Sequence, residues 1–393
     1  MPYWRLSSFY LFYFASLGAF IPFVGPYLKS LGFDAIAIGE LLAAVMATKI
    51  IGPILMGWLA DHSGQGLRLT RLASFAAALC FAGTLWRTDF FGLLFILIGF
   101  SVFWNSALPQ FEVITLSCLK GNTHGYNRVR LWGSIGFIIA VIVVGQQVAE
   151  LGYGIYPWLV CALLGLIWLS TLLVPAVKQE VHDEHVPILN ILKQKEVMLF
   201  FCACFLLQAS HAPYYTFYSI YLGSLGFDQS VQLFDWNITW VSLLWAIAVV
   251  AEVALFVVLQ PILHTFNLRQ VFLAALILAT ARWMMIAFAT EELWLLILAQ
   301  LLHAASFAAF HGVAIQLVHR YFVGNTQGRG QSLYGAVSFG AGGAIGAILS
   351  GYYWEKIGGS ETFIWAAGVS LLAWFVAWVG LRSTLAVEKQ IVI

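Results

Sequence analysis

The sequence predicts an all-α polytopic membrane protein with twelve transmembrane helices in two parallel six-helix halves. Three observations predict this fold class. Hydrophobic residues make up 61% of the 393 residues and charged residues only 9%, whereas a soluble domain carries about 25% charged residues. Apolar runs long enough for a membrane helix, ~20 residues each, follow one another along the whole chain. One phrase occurs twice, half a chain apart, which indicates two copies of one structural unit.

The repeated phrase reads YLKSLGFD at 27–34 and YLGSLGFD at 221–228, an offset of 194. Each copy lies between two apolar runs and therefore predicts a turn between two helices. The glycine ends the first helix and the aspartate begins the next one, as Gly32 with Asp34 and as Gly226 with Asp228.

A second phrase supports the duplication, because GNTHG at 121–125 returns as GNTQG at 324–328. Both copies precede an apolar stretch, and the order and direction match those of the first phrase. We therefore predict an N-terminal six-helix half over 1–174 and a C-terminal half over 197–393. The most polar stretch, 175–196, is the predicted cytoplasmic linker.

The twelve apolar runs give the predicted helix limits 4–28, 36–60, 70–88, 90–118, 129–149, 154–174, 197–222, 234–260, 270–289, 293–319, 331–351 and 361–382. If the N-terminus is cytoplasmic, 14 of the 19 Lys and Arg residues fall on the cytoplasmic side and 3 on the other side. Cytoplasmic loops carry the excess of Lys and Arg in membrane proteins. This asymmetry predicts a multi-pass protein of a bacterial-type inner (plasma) membrane with both termini in the cytoplasm.

Composition also argues against several function classes. The net charge of +1 does not favour a nucleic-acid partner. No phosphate-binding loop, nucleotide fingerprint, metal-ligand cluster or nucleophile–base set is present in the sequence. We therefore expect no enzyme activity, no metal and no cofactor. The expected partners are the lipid bilayer, a small organic substrate and protons, and we expect a monomer.

The loop after helix two contains Gly57, Asp61, Gly64 and Arg68, which fit the pattern G-x-x-x-D-x-x-G-x-x-x-R. With two parallel six-helix halves and a long central loop, this pattern resembles the major facilitator superfamily. The resemblance implies that Asp61 and Arg68 form ion pairs at a gate or helix interface. The alternative is a polar turn with an aspartate near a helix end.

A narrower resemblance covers most of the chain, to the phenylpropionate permease group of that superfamily, which is related to lactose permease and nucleoside symporters. It is carried by Tyr126–Phe137, Leu206–Tyr215, Val250–Phe256, Ala281–Met284 and Gln300–Gly312. The resemblance implies proton-coupled uptake of an organic substrate, with an aromatic carboxylate such as 3-phenylpropionate as the leading candidate.

Four ionisable residues lie at membrane depth in helices eight to ten. Such groups are costly there and usually face a cavity and a partner. Glu252 is the candidate proton carrier, and Arg282 is its candidate counter-ion or the anchor for a substrate carboxylate. His303 and His311, ~80° apart on an ideal α-helix, are candidates for assisting proton transfer. This arrangement resembles the proton site of lactose-permease-type symporters, and the alternatives are a structural ion pair and core histidines.

Helix seven carries a polar stripe at spacings of 3, 4 and 3, formed by Gln208, His211, Tyr215 and Tyr218. These side chains share one helix face and are candidates for lining the substrate site. Pro213 predicts a kink in this stretch. The alternative is a packed seam between helices.

Three charged residues of the first half complete the candidates. Lys49, midway along helix two, is a candidate for holding a substrate carboxylate, or alternatively a partner of a buried acid such as Glu112. Glu112 on helix four and Arg130 at the start of helix five resemble the lactose-permease pair that contacts substrate. A gate or interface ion pair is the alternative for them.

Together these features predict a proton-driven importer that binds substrate near the middle of the membrane and works by alternating access. Two rival transport modes stay open, namely proton symport of a neutral nucleoside or sugar, and drug:proton antiport. A receptor or a polytopic enzyme is the rival from another class, and no catalytic constellation or large soluble module in the sequence favours it.

Overall fold

The structure is a computed structural model, and it describes residues 3–120, 122–175, 188–233, 236–289 and 292–381. Twelve long helices form this part of the chain. They are α1 (Tyr3–Ser30), α2 (Ala35–Ser63), α3 (Gly66–Ala82), α4 (Phe90–Cys118), α5 (Thr123–Leu151), α6 (Tyr156–Leu172), α7 (Lys195–Ser224), α8 (Trp240–Thr265), α9 (Leu268–Phe288), α10 (Leu293–Tyr321), α11 (Gln327–Ile357) and α12 (Gly359–Gly380). Eleven of them are long and apolar enough to cross a membrane, where α6 is counted together with the 3₁₀ turn before it as Tyr153–Leu172, and α3, with 17 residues, is shorter. The predicted polytopic helical fold is confirmed.

Several helix limits differ from prediction, and for example α5 begins at Thr123 rather than at 129 and α11 ends at Ile357 rather than at 351. Helix α3 begins at Gly66 rather than at 70, and a 3₁₀ turn at Gly83–Leu85 follows its last residue. Helix α8 begins at Trp240 rather than at 234, because an antiparallel hairpin of β1 (Ser230–Leu233) and β2 (Trp236–Thr239) precedes it. Polar and apolar residues alternate in both strands, which is the strand period.

The hairpin leads directly into α8. The Thr239 hydroxyl accepts a hydrogen bond from the backbone N–H of Ser242 at 3.2 Å, which satisfies a free donor of the first helical turn.

The repeated phrase has the same backbone geometry at both copies. Gly32 and Gly226 adopt φ of 93° and 81°, in the left-handed region that favours glycine. The N–H of the residue after this glycine reaches back to a carbonyl five residues earlier, from Phe33 to Leu28 at 3.3 Å and from Phe227 to Leu222 at 2.9 Å. The glycine prediction is confirmed.

The aspartate prediction holds for only one copy. The Asp34 carboxylate accepts from the backbone N–H of Ala37 at 2.8 Å and begins α2. Asp228 was expected to begin a helix, and this is wrong, because the β1–β2 hairpin follows it.

The described chain divides into two compact units. Unit 1 comprises residues 1–183 and 214–246, and unit 2 comprises 184–213 and 247–393. The division passes through α7 between Pro213 and Tyr214, although that helix runs continuously from Lys195 to Ser224. Most of the predicted linker 175–196, residues 176–187, lies outside the described residues. The predicted halves 1–174 and 197–393 stay a prediction.

In unit 1, α1 and α5 approach each other closely at two glycines. A methyl group placed on Gly136 would lie 2.1 Å from the carbonyl oxygen of Leu11, and one on Gly18 would lie 2.6 Å from that of Phe137. Only a glycine fits such contacts, because the opposing atoms belong to the backbone.

In unit 2, glycines allow the same close contact between α7 and α11. Methyl groups on Gly342 and Gly346 would lie 2.6 Å and 2.5 Å from the carbonyl oxygens of Phe205 and Ala209. Gly342 and Gly346 form a G-x-x-x-G pair, and this pair lets α11 approach α7 closely. Gly335 faces open space and does not take part.

Two arginines hold the ends of equivalent helices. Arg71, near the start of α3, donates to the carbonyls of Thr171 in the last turn of α6 and Val174 just after it, at 3.2 and 2.9 Å. Arg269, at the start of α9, donates to the carbonyls of Leu381 and Trp378 at the end of α12, both at 2.9 Å. Each arginine satisfies carbonyl groups that a helix leaves free at its last turn.

Candidate functional site

The most completely buried cation in the described chain is Arg282 on α9, whose exposed fraction is 0%. Its guanidinium donates to the carbonyl of Ala299 at 3.1 Å, to the hydroxyl of Ser306 at 3.3 Å and to the side-chain oxygen of Gln300 at 3.5 Å. All three acceptors are neutral and belong to α10. The three bonds use three different nitrogens, so they fix both the position and the plane of the guanidinium.

An indole supports the same arginine from its own helix. The guanidinium carbon lies 4.5 Å from the ring centroid of Trp283, within cation–π range. The indole N–H donates to the Ser210 hydroxyl on α7 at 3.2 Å, and the ring meets the His211 imidazole edge to face at 4.8 Å. His211 is also bonded through Nδ1 to the Leu207 carbonyl at 2.9 Å. The buried ring of Trp283 therefore joins the predicted residues Arg282 and His211 in one cluster.

Glu252 and His303 face each other between α8 and α10. The carboxylate oxygen of Glu252 lies 3.8 Å from Nε2 of His303, with exposed side-chain fractions of 22% and 7%. The Ser306 hydroxyl that accepts from Arg282 also donates to the backbone carbonyl of His303, at 3.4 Å. Glu252, Arg282 and His303 thus form the ionisable cluster of unit 2. The structure brings together a carboxyl, a guanidinium and an imidazole from three consecutive helices, as the sequence predicts.

His311 lies further along α10, in contact with a tyrosine. Its Nδ1 is 3.1 Å from the Tyr334 hydroxyl of α11, and Tyr334 is 2% exposed. Between the two histidines, Ala304–Ala309 is a π-helix, in which the N–H of Phe310 reaches the carbonyl of Ala305, five residues back. The angle of ~80° expected for an α-helix therefore does not describe this segment.

The polar stripe of α7 is divided between two environments. Gln208 is 2% exposed, and its Nε2 has no hydrogen-bond partner among the residues that the structure describes. Tyr218 is fully buried, with its ring 4.7 Å from that of Tyr214 and 5.9 Å from that of Trp245. Tyr215 is half-buried. The contacts of Tyr218 fit the alternative of a packed seam between helices. Gln208 and Tyr215 stay candidates for lining the substrate site.

In unit 1, Lys49 lies on the inner side of α2. The exposed apolar residues Ile51, Ile54 and Trp58, between 52% and 63% exposed, mark the opposite side, roughly 140–180° away at ~100° per residue. The neighbouring residue Thr48 is buried against α4. Lys49 therefore points away from the lipid-facing side of its helix.

A polar network holds the adjacent turn of α2. The Thr48 hydroxyl donates to the Ser101 hydroxyl and accepts from the Asn105 amide, both at 3.0 Å. The Asn105 amide also donates to the carbonyl of Val45 at 3.3 Å. Because these hydrogen bonds join α2 to α4, they fix the position of the turn of α2 that carries Lys49.

The predicted pair of Glu112 and Arg130 has separate contacts in this structure. The Glu112 carboxylate accepts a hydrogen bond from the Tyr126 hydroxyl at 3.2 Å. The guanidinium of Arg130 lies 3.8 Å from the ring centroid of Phe14 and 5.8 Å from that of Tyr10. Both residues belong to one aromatic-lined region of α1, α4 and α5, and the ion pair stays a prediction.

The loop between α2 and α3 leaves Asp61 and Arg68 exposed. Arg68 donates to the side-chain oxygen of Gln65 at 2.9 Å, within the same turn. Gly64 adopts φ of 62° and ends α2. A local turn accounts for these contacts, and the gate role of Asp61 and Arg68 stays a prediction.

Sequence reasoning missed several residues of the site. Gln300 and Ser306 hold Arg282, and their spacing with His303, three residues on either side, is a polar signal on an apolar helix. Ser101 and Asn105 give a similar signal, four residues apart on α4. Tyr334 carried no signal, because an aromatic residue on an apolar face is indistinguishable from core. Among the described residues, no group of three or more His, Cys, Asp or Glu side chains is placed to hold a metal ion.

Comparisons with known proteins agree with this architecture. The family model described as the MFS_1 like family matches residues 3–365. A relative from Escherichia coli (strain K12), described as Probable 3-phenylpropionic acid transporter, is 28% identical over 382 residues, with 94% of this chain and 96% of the relative covered. Nucleoside permease NupG of the same organism is 22% identical, with 86% and 84% covered.

The fold is also that of a solved transporter. The crystal structure of nucleoside transporter NupG superposes with a TM-score of 0.84 at 18% identity, covering 98% of this chain and 100% of that chain. The predicted resemblance is confirmed, and the relatives are transporters rather than enzymes. The chain belongs to the MFS_1 like family and is a multi-pass membrane transporter of the major facilitator superfamily for a small-molecule substrate.

Proposed function

We propose that this transporter takes up an aromatic monocarboxylate, such as 3-phenylpropionate, together with a proton, by alternating access in a bacterial-type inner membrane. The observation that carries the proposal is the ionisable cluster of unit 2, where Glu252 and His303 lie 3.8 Å apart beside the buried guanidinium of Arg282. The termini are cytoplasmic and the protein acts as a monomer in this proposal. The proton gradient is the only energy source, without a cofactor.

The permanent cation supports a carboxylate substrate. Arg282 cannot give up its proton at physiological pH, so its charge is available throughout a transport cycle. A carboxylate is the planar, two-oxygen partner that a guanidinium binds best. Lys49 is the second candidate anchor, on α2. The relative described as a 3-phenylpropionic acid transporter supports the same substrate class.

The surroundings of the cation support an aromatic substrate. Trp283 and His211 present ring surfaces next to Arg282, and Gln208 adds an amide on the same side of α7 as His211. A mostly apolar, aromatic wall with few polar groups is typical of sites for small organic acids.

The pair of Glu252 and His303 supports proton coupling. A carboxyl and an imidazole exchange a proton readily when they come within hydrogen-bond reach, about 2.6–3.2 Å, and catalytic contacts are often longer in unliganded states. A carboxylate left charged alone in an apolar region is costly, which favours movement of Glu252 only when it is protonated or paired. Loading of proton and substrate together satisfies that requirement.

The charge carried per cycle separates this proposal from its main rival. One proton with one monocarboxylate is electroneutral, so a gradient of one pH unit supports about tenfold accumulation and the membrane potential contributes nothing. One proton with a neutral nucleoside moves one charge, and 100 mV then adds ~2.3 kcal/mol, or roughly 50-fold accumulation. Nucleoside symport is the second candidate function, because NupG is a relative over most of the chain.

The test uses substrate-induced alkalinisation of weakly buffered cells that express the protein. Addition of 3-phenylpropionate should raise the external pH with wild type and not with Glu252→Gln. Glu361→Gln is the matched control, because this carboxylate lies exposed in the first turn of α12. A rise with uridine or a sugar but none with 3-phenylpropionate would refute the carboxylate substrate. A fall in pH on addition of a lipophilic cation would indicate drug:proton antiport instead.

The electroneutral stoichiometry is tested in proteoliposomes with a potassium diffusion potential set by valinomycin. Accumulation of 3-phenylpropionate should follow the pH gradient and should be unchanged by an interior-negative potential. A strong stimulation by the potential would refute a stoichiometry of one proton per monocarboxylate.

A further inference from the structure

Three rings on α10 form a nearly parallel column. The centroid of the His303 ring lies 5.2 Å from that of Phe307 with an interplanar angle of 9°, and Phe307 lies 6.1 Å from His311 with an angle of 10°. The middle ring of the column, Phe307, lies in the π-helical segment Ala304–Ala309. The benzyl group of Phe307 therefore separates two imidazoles that share one helix face.

At the other end of the column, His311 contacts the Tyr334 hydroxyl, and aromatic rings surround this polar contact. His311 contacts the Tyr334 hydroxyl at 3.1 Å, and the ring of Phe339 lies 5.9 Å from His311, 5.8 Å from Tyr334 and 6.3 Å from Phe307. Phe339 belongs to the second π-helical segment, Gly335–Gly342, in α11. Both π-helical segments border the same column, and such segments are frequent at functional positions.

The near end of the column is the ionisable cluster of unit 2. The titratable and charged groups near His303 are Glu252 from α8, Arg282 from α9 and His211 from α7, which contacts Trp283 edge to face. Those facing His311 include Tyr334 from α11.

A proton cannot pass directly between the two imidazoles in this arrangement. Transfer needs heavy atoms about 2.6–3.2 Å apart or one intervening water. The two ring-to-ring steps of the column are 5.2 and 6.1 Å, and the ring between them has no group that binds a proton. The column therefore holds two proton sites apart.

We propose that His311, positioned by Tyr334, is a second proton site on the route between Glu252 and the cytoplasm, and that Phe307 is the barrier that closes this route outside the transport step. This inference rests on the proposed proton coupling. Glu252 releases its proton and returns to the carboxylate, and His311 accepts that proton on Nε2 while its Nδ1–H donates to the Tyr334 oxygen. The imidazolium of His311 then releases the proton to the side that the Lys and Arg distribution assigns to the cytoplasm.

Opening of the route requires Phe307 to move out of its position between the two imidazoles.

The test uses purified protein in liposomes with a trapped pH dye and four variants. His311→Asn should slow accumulation of 3-phenylpropionate driven by a pH gradient at least tenfold and change substrate exchange at equal pH less than twofold, because exchange needs no deprotonation. Tyr334→Phe should slow accumulation to a smaller extent, also without loss of exchange. Phe307→Ala should give a substrate-independent proton leak several times that of wild type and a lower accumulation plateau, whereas Phe307→Leu, which keeps an apolar barrier, should not leak.

His264→Asn is the matched histidine control, because His264 is exposed at the end of α8. Accumulation by His311→Asn at the wild-type rate, or equal loss of exchange and accumulation, would overturn the role of His311. A Phe307→Ala protein that leaks no more than wild type would overturn the barrier. If wild type itself moved no protons with 3-phenylpropionate or uridine, the proposed coupling and this inference would both fail, and the wild-type assay identifies that case separately.

Discussion

Replacement of Arg282 by lysine tests whether the geometry of the guanidinium matters in addition to its charge. Arg282 is fully buried and donates through three nitrogens to Ala299, Gln300 and Ser306. Lysine keeps the positive charge but has one nitrogen on a flexible stem, so it reaches one of these acceptors with good geometry.

The expected cost follows from the two acceptors left behind. A buried acceptor without its partner costs about 1–3 kcal/mol, so Arg282→Lys should lower the free energy of unfolding by roughly 2–6 kcal/mol. The free energy of unfolding of a native protein is only about 5–15 kcal/mol, so a loss of this size is measurable. At about 2–4 °C per kcal/mol, the melting temperature in detergent should fall by at least ~4 °C.

The assay combines a thermal unfolding curve with uptake of 3-phenylpropionate. Arg282→Lys should lose stability and raise the KM for uptake, and Arg282→Gln should abolish carboxylate uptake because the cation is gone. Arg320→Lys is the control, since Arg320 is exposed at the end of α10. An Arg282→Lys protein with the wild-type melting temperature and KM would refute the argument that three directional bonds hold this cation.

Three further predictions address packing, helix ends and the first unit. Gly136→Leu should cost about 3 kcal/mol or more, because its first carbon would lie 2.1 Å from a backbone oxygen of α1, whereas Gly165→Ala has no atom within 4 Å and should keep wild-type stability in the same detergent melt. Arg71→Ala and Arg269→Ala should each lower the melting temperature by a similar amount, because each removes two hydrogen bonds to helix-end carbonyls. Lys49→Ala should weaken binding of 3-phenylpropionate more than binding of uridine, measured by ligand-induced thermal shift, and equal effects would contradict a role in carboxylate binding.

The helices were predictable because hydrocarbon leaves the backbone few choices. A spanning segment must satisfy its own N–H and C=O groups, so long apolar runs become helices. The run at 90–118 coincides with α4 for this reason. The hairpin before α8 was not predicted, because the turn between two spans is free of that constraint and its short alternating strands resemble the edge of an apolar run.

The sequence predicted which charged residues form the candidate site, but it predicted few of their hydrogen-bond partners. Charged residues in apolar runs identified Glu252, Arg282 and His303, since burial of a charge is costly and needs a reason. The acceptors of Arg282 were missed because serine and glutamine are common in membrane helices. The column on α10 was missed for a geometric reason. A π-helix has no distinctive sequence in Ala304–Ala309, and a helical wheel drawn at 100° per residue places His303 and His311 ~80° apart rather than in one column.

The duplicated sequence repeats its packing and not its chemistry. Arg71 and Arg269 perform the same capping on α3 and α9, 198 residues apart. At that same offset the counterpart of Arg282 is Thr84, in the 3₁₀ turn after α3, and its hydroxyl donates to the carbonyl of Phe81 three residues earlier. Both units need hydrogen-bonded helix ends and closely packed helix crossings in order to fold. A buried cation is costly, so it is retained only where it has a function. Substitutions of the shared packing residues should therefore reduce stability in either unit, and substitutions at Glu252 and His311 should separate transport from stability.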